Sequence, residues 1–166
     1  YYKEIGDKSS VDHTLCELGE LYFELNDYKT SRQFYMDGLE ISQKINDVMN
    51  ILRINTGLAR LYLKFRDTEK AASYLNSAEK LAMACNSYKD LVKISKIYSE
   101  NCSISGNYKE ARIFMEKYNK YQAKLSNLSE ENKIQAIMMG HIKNNFNNET
   151  PVYYNSLKQE EVISHY

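Results

Sequence analysis

Three histidines and three cysteines are the residues in this chain best suited to covalent or metal chemistry, and their spacing speaks against both. His13 and Cys16 lie three positions apart and would share one face of a helix. To act as a nucleophile, Cys16 would need a third group to orient the imidazole and a pocket to hold a substrate. Neither is legible around it. His141 and His165 stand far from that pair, and Cys16, Cys85 and Cys102 show no Cys-x-x-Cys spacing. No set of His, Cys, Asp or Glu has the pattern of a metal site, so no metal is expected. Glu130-Glu131 and Glu160-Glu161 are adjacent pairs whose side chains diverge, which a general acid/base couple cannot use. No glycine-rich loop is present to cradle a phosphate. Asn101-Cys102-Ser103, Asn127-Leu128-Ser129 and Asn148-Glu149-Thr150 match a glycosylation sequon, as chance allows in an Asn-rich chain. The residues predict a chain that is not an enzyme and has no cofactor.

The elements that must position the side chains are written more than once. Leu18-Gly19-Glu20-Leu21-Tyr22, Asn26-Asp27-Tyr28, Ser31 and Phe34-Tyr35 return forty residues on as Leu58-Ala59-Arg60-Leu61-Tyr62, Arg66-Asp67-Thr68, Ala71 and Tyr74-Leu75. A third copy gives Tyr98-Ser99, Gly106-Asn107-Tyr108, Ala111 and Phe114-Met115. A period of this length marks a solenoid, in which a single unit cannot bury its own apolar face. Each unit reads as two helices around a polar break, the first near 12–25, 48–65 and 88–104, the second near 28–45, 68–85 and 108–125. Asp27, Asp67 and Asn107 stand at the breaks as N-cap acceptors, and Asp47 and Ser87 stand between units. Gly19, Ala59 and Ser99 in the first helices, and Ser31, Ala71 and Ala111 in the second, are small residues where helices must approach. Larger ones beside them, Leu18, Leu58, Tyr98, Phe34, Tyr74 and Phe114, would interdigitate.

In these positions the chain resembles the tetratricopeptide repeat (TPR) family. Leu18-Gly19, Tyr22, Ser31, Tyr35 and Gly38 follow the family pattern in copy one, and Leu58-Ala59, Tyr62, Ala71 and Ala78 in copy two. Copy three departs from it at Cys102 and Tyr118. The unit is longer than the usual one of about 34 residues, which makes it similar to repeats of bacterial peptide-responsive regulators and signalling adaptors. The resemblance implies an all-α, antiparallel helix-pair solenoid whose first helices line a concave groove. It places His13, Cys16, Glu20, Phe23 and Glu24 there from copy one, Arg53, Thr56, Arg60, Leu63 and Lys64 from copy two, and Lys93, Lys96, Glu100 and Ile104 from copy three. Of these, Glu20, Phe23, Arg53, Thr56, Arg60, Lys64, Lys93, Lys96 and Glu100 are the expected ligand contacts. Arg53, Arg60, Lys64, Lys93 and Lys96 suit a peptide that is acidic or ends in a free carboxylate. The carboxylate clamp of chaperone-binding members is matched at Lys96 alone, so a chaperone tail is not the expected ligand. The implied function is a non-catalytic protein- or peptide-binding scaffold. The alternative is the ligand-sensing half of a larger signalling or transcription regulator whose effector lies elsewhere.

Composition sets the remaining bounds. With 22 basic and 22 acidic residues the net charge is zero, which offers no general attraction to nucleic acid or anionic membrane. RNA binding by a helical array is disfavoured on the same ground. No 18-residue apolar run spans a membrane, no signal peptide is read, and three scattered cysteines fit reduced thiols, so a cytoplasmic location is expected. Residues 1–146 are read as the repeat domain. Within it, 1–8 end a preceding repeat with Gly6 as left-handed cap, and the repeats cover 9–46, 47–86 and 87–126. Ser9 or Ser10 caps the first full helix. The chain is thus expected to be a piece of a longer protein. Ser129-Glu130-Glu131 open a capping helix at 127–146, with an apolar stripe of Ile134, Met138, Ile142 and Phe146 widened by Ile137 and Met139. That stripe either closes the array or also meets a second subunit as a homodimer. Thr150-Pro151 is expected to break any helix, leaving 147–166 as a polar tail.

Overall fold

The computed structural model describes the backbone of residues 2–163 and the side chains of residues 10–139. Six helices follow one another: α1 (Tyr2–Glu24), α2 (Tyr28–Ile45), α3 (Val48–Lys64), α4 (Thr68–Ala84), α5 (Tyr88–Ile104) and α6 (Tyr108–Ile163). The described residues include no strand. One turn, used five times, separates the helices. Asn26, Asn46, Arg66, Asn86 and Gly106, spaced twenty apart, all take positive φ. The next residue then returns its N–H to a carbonyl five positions back, as in Asp27 N to Tyr22 O at 2.9 Å and Asn107 N to Cys102 O at 2.8 Å. This left-handed close satisfies the last carbonyls of one helix. The same residue starts the next helix: Asp27, Asp47 and Asp67 each accept a backbone N–H at 3.0–3.1 Å, and Asn107 accepts from Glu110 N at 3.3 Å. Ser87 stands at its N-cap but makes no capping bond; its hydroxyl donates to Asp90 Oδ2 at 2.6 Å instead.

Contacts divide the chain into two compact units, Tyr1–Lys124 and Leu125–Tyr166. In the first unit α1 packs on α2 and α3 on α4, while α2 meets α3 and α4 meets α5. The first helices also touch in series, α1 to α3 and α3 to α5. This is an all-α solenoid of antiparallel pairs. Each pair is held by stacked rings at 40-residue spacing: Tyr22 on Phe34 at 5.3 Å, Tyr62 on Tyr74 at 5.5 Å, and Tyr98 on Phe114 at 4.2 Å. The third stack draws on Tyr98 because Cys102 occupies the place of Tyr22 and Tyr62, and Tyr98 is one turn earlier on the same face. Small residues do what their spacing predicts. Ser31 Oγ donates to Gly19 O at 2.7 Å and Ser99 Oγ to Ala111 O at 2.9 Å, both across a helix–helix contact. Leu58, Tyr62, Ala71 and Ala111 are buried, whereas Leu18, Tyr22, Phe34 and Tyr74 are half-buried.

Three expected boundaries are not found. The α1 helix runs unbroken from Tyr2, with no turn at Gly6 and no helix start at Ser9 or Ser10; glycine permits a left-handed close without requiring one. The separate helix expected from 127 is part of α6, and Ser126, next in the twenty-residue series, stays helical. Six helices are therefore described where the repeat pattern suggests seven. Thr150-Pro151 does not end α6 either; proline's fixed φ is close to the helical value, although its ring removes one helical hydrogen bond and crowds the carbonyl four residues back. In the second unit Ile134, Ile137, Met138 and Met139 are exposed. The side chains of Ile142 and Phe146 lie outside the described residues, as do those of residues 1–8.

Candidate functional site

The first helices of the three pairs enclose a cavity of about 450 Å³. Glu20 from α1, Arg53, Thr56 and Arg60 from α3, and Lys93, Lys96 and Glu100 from α5 line it. The 40-residue period brings them together, because residues 20, 60 and 100 are one position written three times, as are 53 and 93. Sequence reasoning missed four further lining residues: Leu52, Gly57, Asp90 and Ile97. Gly57 and Ile97 stand one turn beyond Arg53 and Lys93, and Asp90 stands one turn before Lys93, so helical spacing was the signal that could have found them.

Five cations competing for a countercharge are not what this site contains. Arg53 Nη2 lies 3.5 Å from Glu20 Oε1, and its Nη1 is 3.2 Å from His13 Nδ1. Arg60 reaches Glu24 at 3.0 Å, and Lys93 reaches Asp90 at 3.9 Å. Lys96 has no ion-pair partner among the described residues, and neither does Glu100. The site is a lattice of partly exposed ion pairs with one unpaired cation and one unpaired carboxylate facing the same space. Such pairs are weak in water, and each guanidinium offers several donors at once.

Seven of the groove positions that the resemblance implies, His13, Cys16, Phe23, Glu24, Leu63, Lys64 and Ile104, are not among the cavity-lining residues. Phe23 is buried, with the Arg60 guanidinium 4.4 Å above its ring and the Lys64 ammonium 5.9 Å from it. Its ring is too large and apolar to leave wet, so the cation expected beside it covers it. Lys64 is thereby drawn onto Phe23 and is not among the cavity-lining residues. Cys16 and Leu63 are core residues, and Cys16 is fully buried. Burial pushes the Cys16 thiol up to about 12, against which the nearby Arg53 charge is a smaller opposing effect. The two ring nitrogens of His13 face Glu17, at 3.1 Å, and Arg53, at 3.2 Å. The helical spacing of His13 and Cys16 therefore makes no nucleophilic pair. Among the described residues no group of His, Cys, Asp and Glu could hold a metal ion, and no described helix is long and apolar enough to cross a membrane.

Two other hollows lie away from the groove. One, of about 590 Å³, runs between α2, α3 and α4 beside Tyr74 and Lys80. The other, of about 390 Å³, is formed by α4, α5 and the start of α6 around Tyr98 and Cys102. Residues 10–84 match the family model described as tetratricopeptide repeat. No curated protein matches the chain.

Proposed function

As residues 10–84 make this a tetratricopeptide repeat protein, of a class that generally mediates protein–protein contacts, we propose that it is a non-catalytic scaffold. Its inner groove grips an extended protein segment that presents a carboxylate, either an acidic side chain or a free C-terminus. The observation that carries this reading is Lys96, an ammonium without an ion-pair partner among the described residues, lining the same 450 Å³ cavity as Arg53 and Arg60. A ligand carboxylate would take up the Lys96 charge first and could then draw Arg53 or Arg60 from its weak intramolecular partner. Glu100, equally unpaired, would favour a backbone amide or a basic residue beside the acid, which gives the segment a direction.

The test is an array of short peptides synthesised with either a free acid or an amide at the C-terminus, followed by calorimetric titration of those retained. The expected result is a preference for acidic or free-acid peptides that Lys96→Glu weakens tenfold or more. Affinity should also fall as salt rises, because exposed charges are screened over about 8 Å at physiological ionic strength. Arg60→Glu is a poorer probe, since Arg60 also shields Phe23. Equal binding of acid and amide peptides, unchanged by Lys96→Glu, would place the contact surface outside the groove.

A further inference from the structure

The array contains a junction between consecutive pairs that is made twice, and a third set of residues stands at the equivalent repeat positions. At the first junction, between α2 and α3, Tyr35 lies against Gly57, where an added Cβ would come within 2.5 Å of Tyr35 Cζ. One turn along, Gly38 faces Ile54, whose Cδ1 would lie 3.2 Å from a Cβ at Gly38. Forty residues on, at the junction of α4 and α5, the same four places hold Leu75 with Ile97 and Ala78 with Ile94, all buried. A further forty residues give Met115 with Ile137 and Tyr118 with Ile134. Here Tyr118 is half-buried and the other three are exposed. Leu75 is 0% exposed and Ile97 9%, but Met115 is 43% exposed and Ile137 61%, and Ile134 is 54% exposed.

We propose that this third junction is made between two copies of the chain, residues 128–139 of each seating on the Met115–Tyr118 face of the other. Several observations select a second copy as the occupant. The open face continues an interface already formed twice, so the helix that fits it must carry the pattern of α3 and α5. Residues 128–139 match that pattern at Ile134, where Ile54 and Ile94 are buried, and at Met138, where Leu58 is, while the polar Asn132 and Glu131 stand where Leu52 and Leu91 do. Their apolar side chains, Met139 included, are exposed within one chain. Charge agrees as well. Residues 108–124 carry Lys109, Arg112, Lys117, Lys120 and Lys124 against Glu110 and Glu116, while the incoming stretch opens with Glu130-Glu131. Because each copy offers both halves of the junction, reciprocal seating satisfies both and closes as a two-fold dimer, with no open end to propagate.

The assignment is specific enough to cross-link. In a Cys85→Ser background, one chain carrying Met115→Cys and a differently tagged chain carrying Ile137→Cys are mixed and treated with a short bismaleimide. A covalent heterodimer is expected from the mixture, and little from either variant alone. Met115→Cys paired with Ser129→Cys, out of position by two turns, should give little product. Independently, Ile137→Glu should convert a dimer to a monomer in sedimentation while the helical spectrum is retained. A wild-type chain that stays monomeric at high micromolar concentration overturns the proposal. So does a cross-link that forms inside one chain carrying both cysteines at monomeric mass, since the junction would then be made in cis. Lys96→Glu should leave the dimer intact, which separates this inference from the groove reading.

Discussion

Tyr35 is the side chain on which the first two pairs converge. Gly19 meets the base of its ring and Gly57 the hydroxyl end, each with room for hydrogen only. The ring is fully buried, its hydroxyl has no hydrogen-bond partner, and burial raises the phenol above its usual range. The second copy solves the same packing problem differently: Ala59, Leu75 and Ile97 stand where Gly19, Tyr35 and Gly57 do. Ring and glycines are thus one volume-matched set, and the side chain missing from the glycines is restored on a smaller partner. Gly57→Ala is expected to overpack and destabilise by about 1–3 kcal/mol. Tyr35→Leu alone leaves a cavity, but Gly57→Ala with Tyr35→Leu should recover part of both losses. Urea unfolding of the four chains measures that coupling. Strict additivity would mean that Tyr35 does not depend on Gly57.

At the scale of the element, the turn of left-handed residue then N-cap sets where each helix stops. Asparagine takes the left-handed position at 26, 46 and 86 and glycine at 106, both of which tolerate it, but Arg66 does not suit it. For a residue with an ordinary side chain this conformation costs about 1–2 kcal/mol. Packing of α3 along α4 offsets that cost, and Asp67 capping Lys70 N helps to hold the turn. Replacing Arg66 with Asn, as the chain itself does at three equivalent turns, should stabilise the fold by up to about 1 kcal/mol. Thermal unfolding would show it, and a loss of stability would mean that the Arg66 side chain contributes a contact of its own. Ser126 shows the converse. Placed where the series calls for another turn, it remains helical, and α6 passes through the position.

Across the first unit, stability should be graded rather than uniform, because each helix is held only by its neighbours in the stack. The most enclosed is α3: Leu52, Ile54, Leu58, Ala59 and Leu61 are essentially fully buried, with α1, α2, α4 and α5 all packed on it. The third pair has thinner support, with Met115 uncovered and polar Ser95, Ser99 and Asn101 among the buried residues of α5. Native-state hydrogen exchange is expected to find the slowest amides in α3 and α4 and faster ones in α5 and residues 108–124. Equal protection throughout would indicate a single cooperative unit in place of a stack.

Sequence alone determined the architecture, since that information is local and periodic. The forty-residue spacing, the Asp and Asn caps and the small-residue positions are all local instructions, and within residues 10–124 they are obeyed except at Ser10, where no helix starts, and at Ser87, which makes no capping bond. Part of the groove was legible in the same way: Glu20, Arg60 and Glu100 are one repeat position and all line the cavity, whereas Cys16, equivalent to Thr56 and Lys96, is buried in the core. Tertiary structure decided what those residues do there. Cations read as free in the sequence are mostly neutralised by Glu20, Glu24 and Asp90. Phe23 is sealed beneath Arg60, and Lys96 has no ion-pair partner among the described residues. Those outcomes depend on side-chain reach between different helices, over distances that no spacing along one helix encodes. The end of the array was likewise a tertiary decision. Ser126 and Asn127 resemble the other breaks, but a turn forms only where packing of the flanking helices outweighs the cost of leaving the helical conformation.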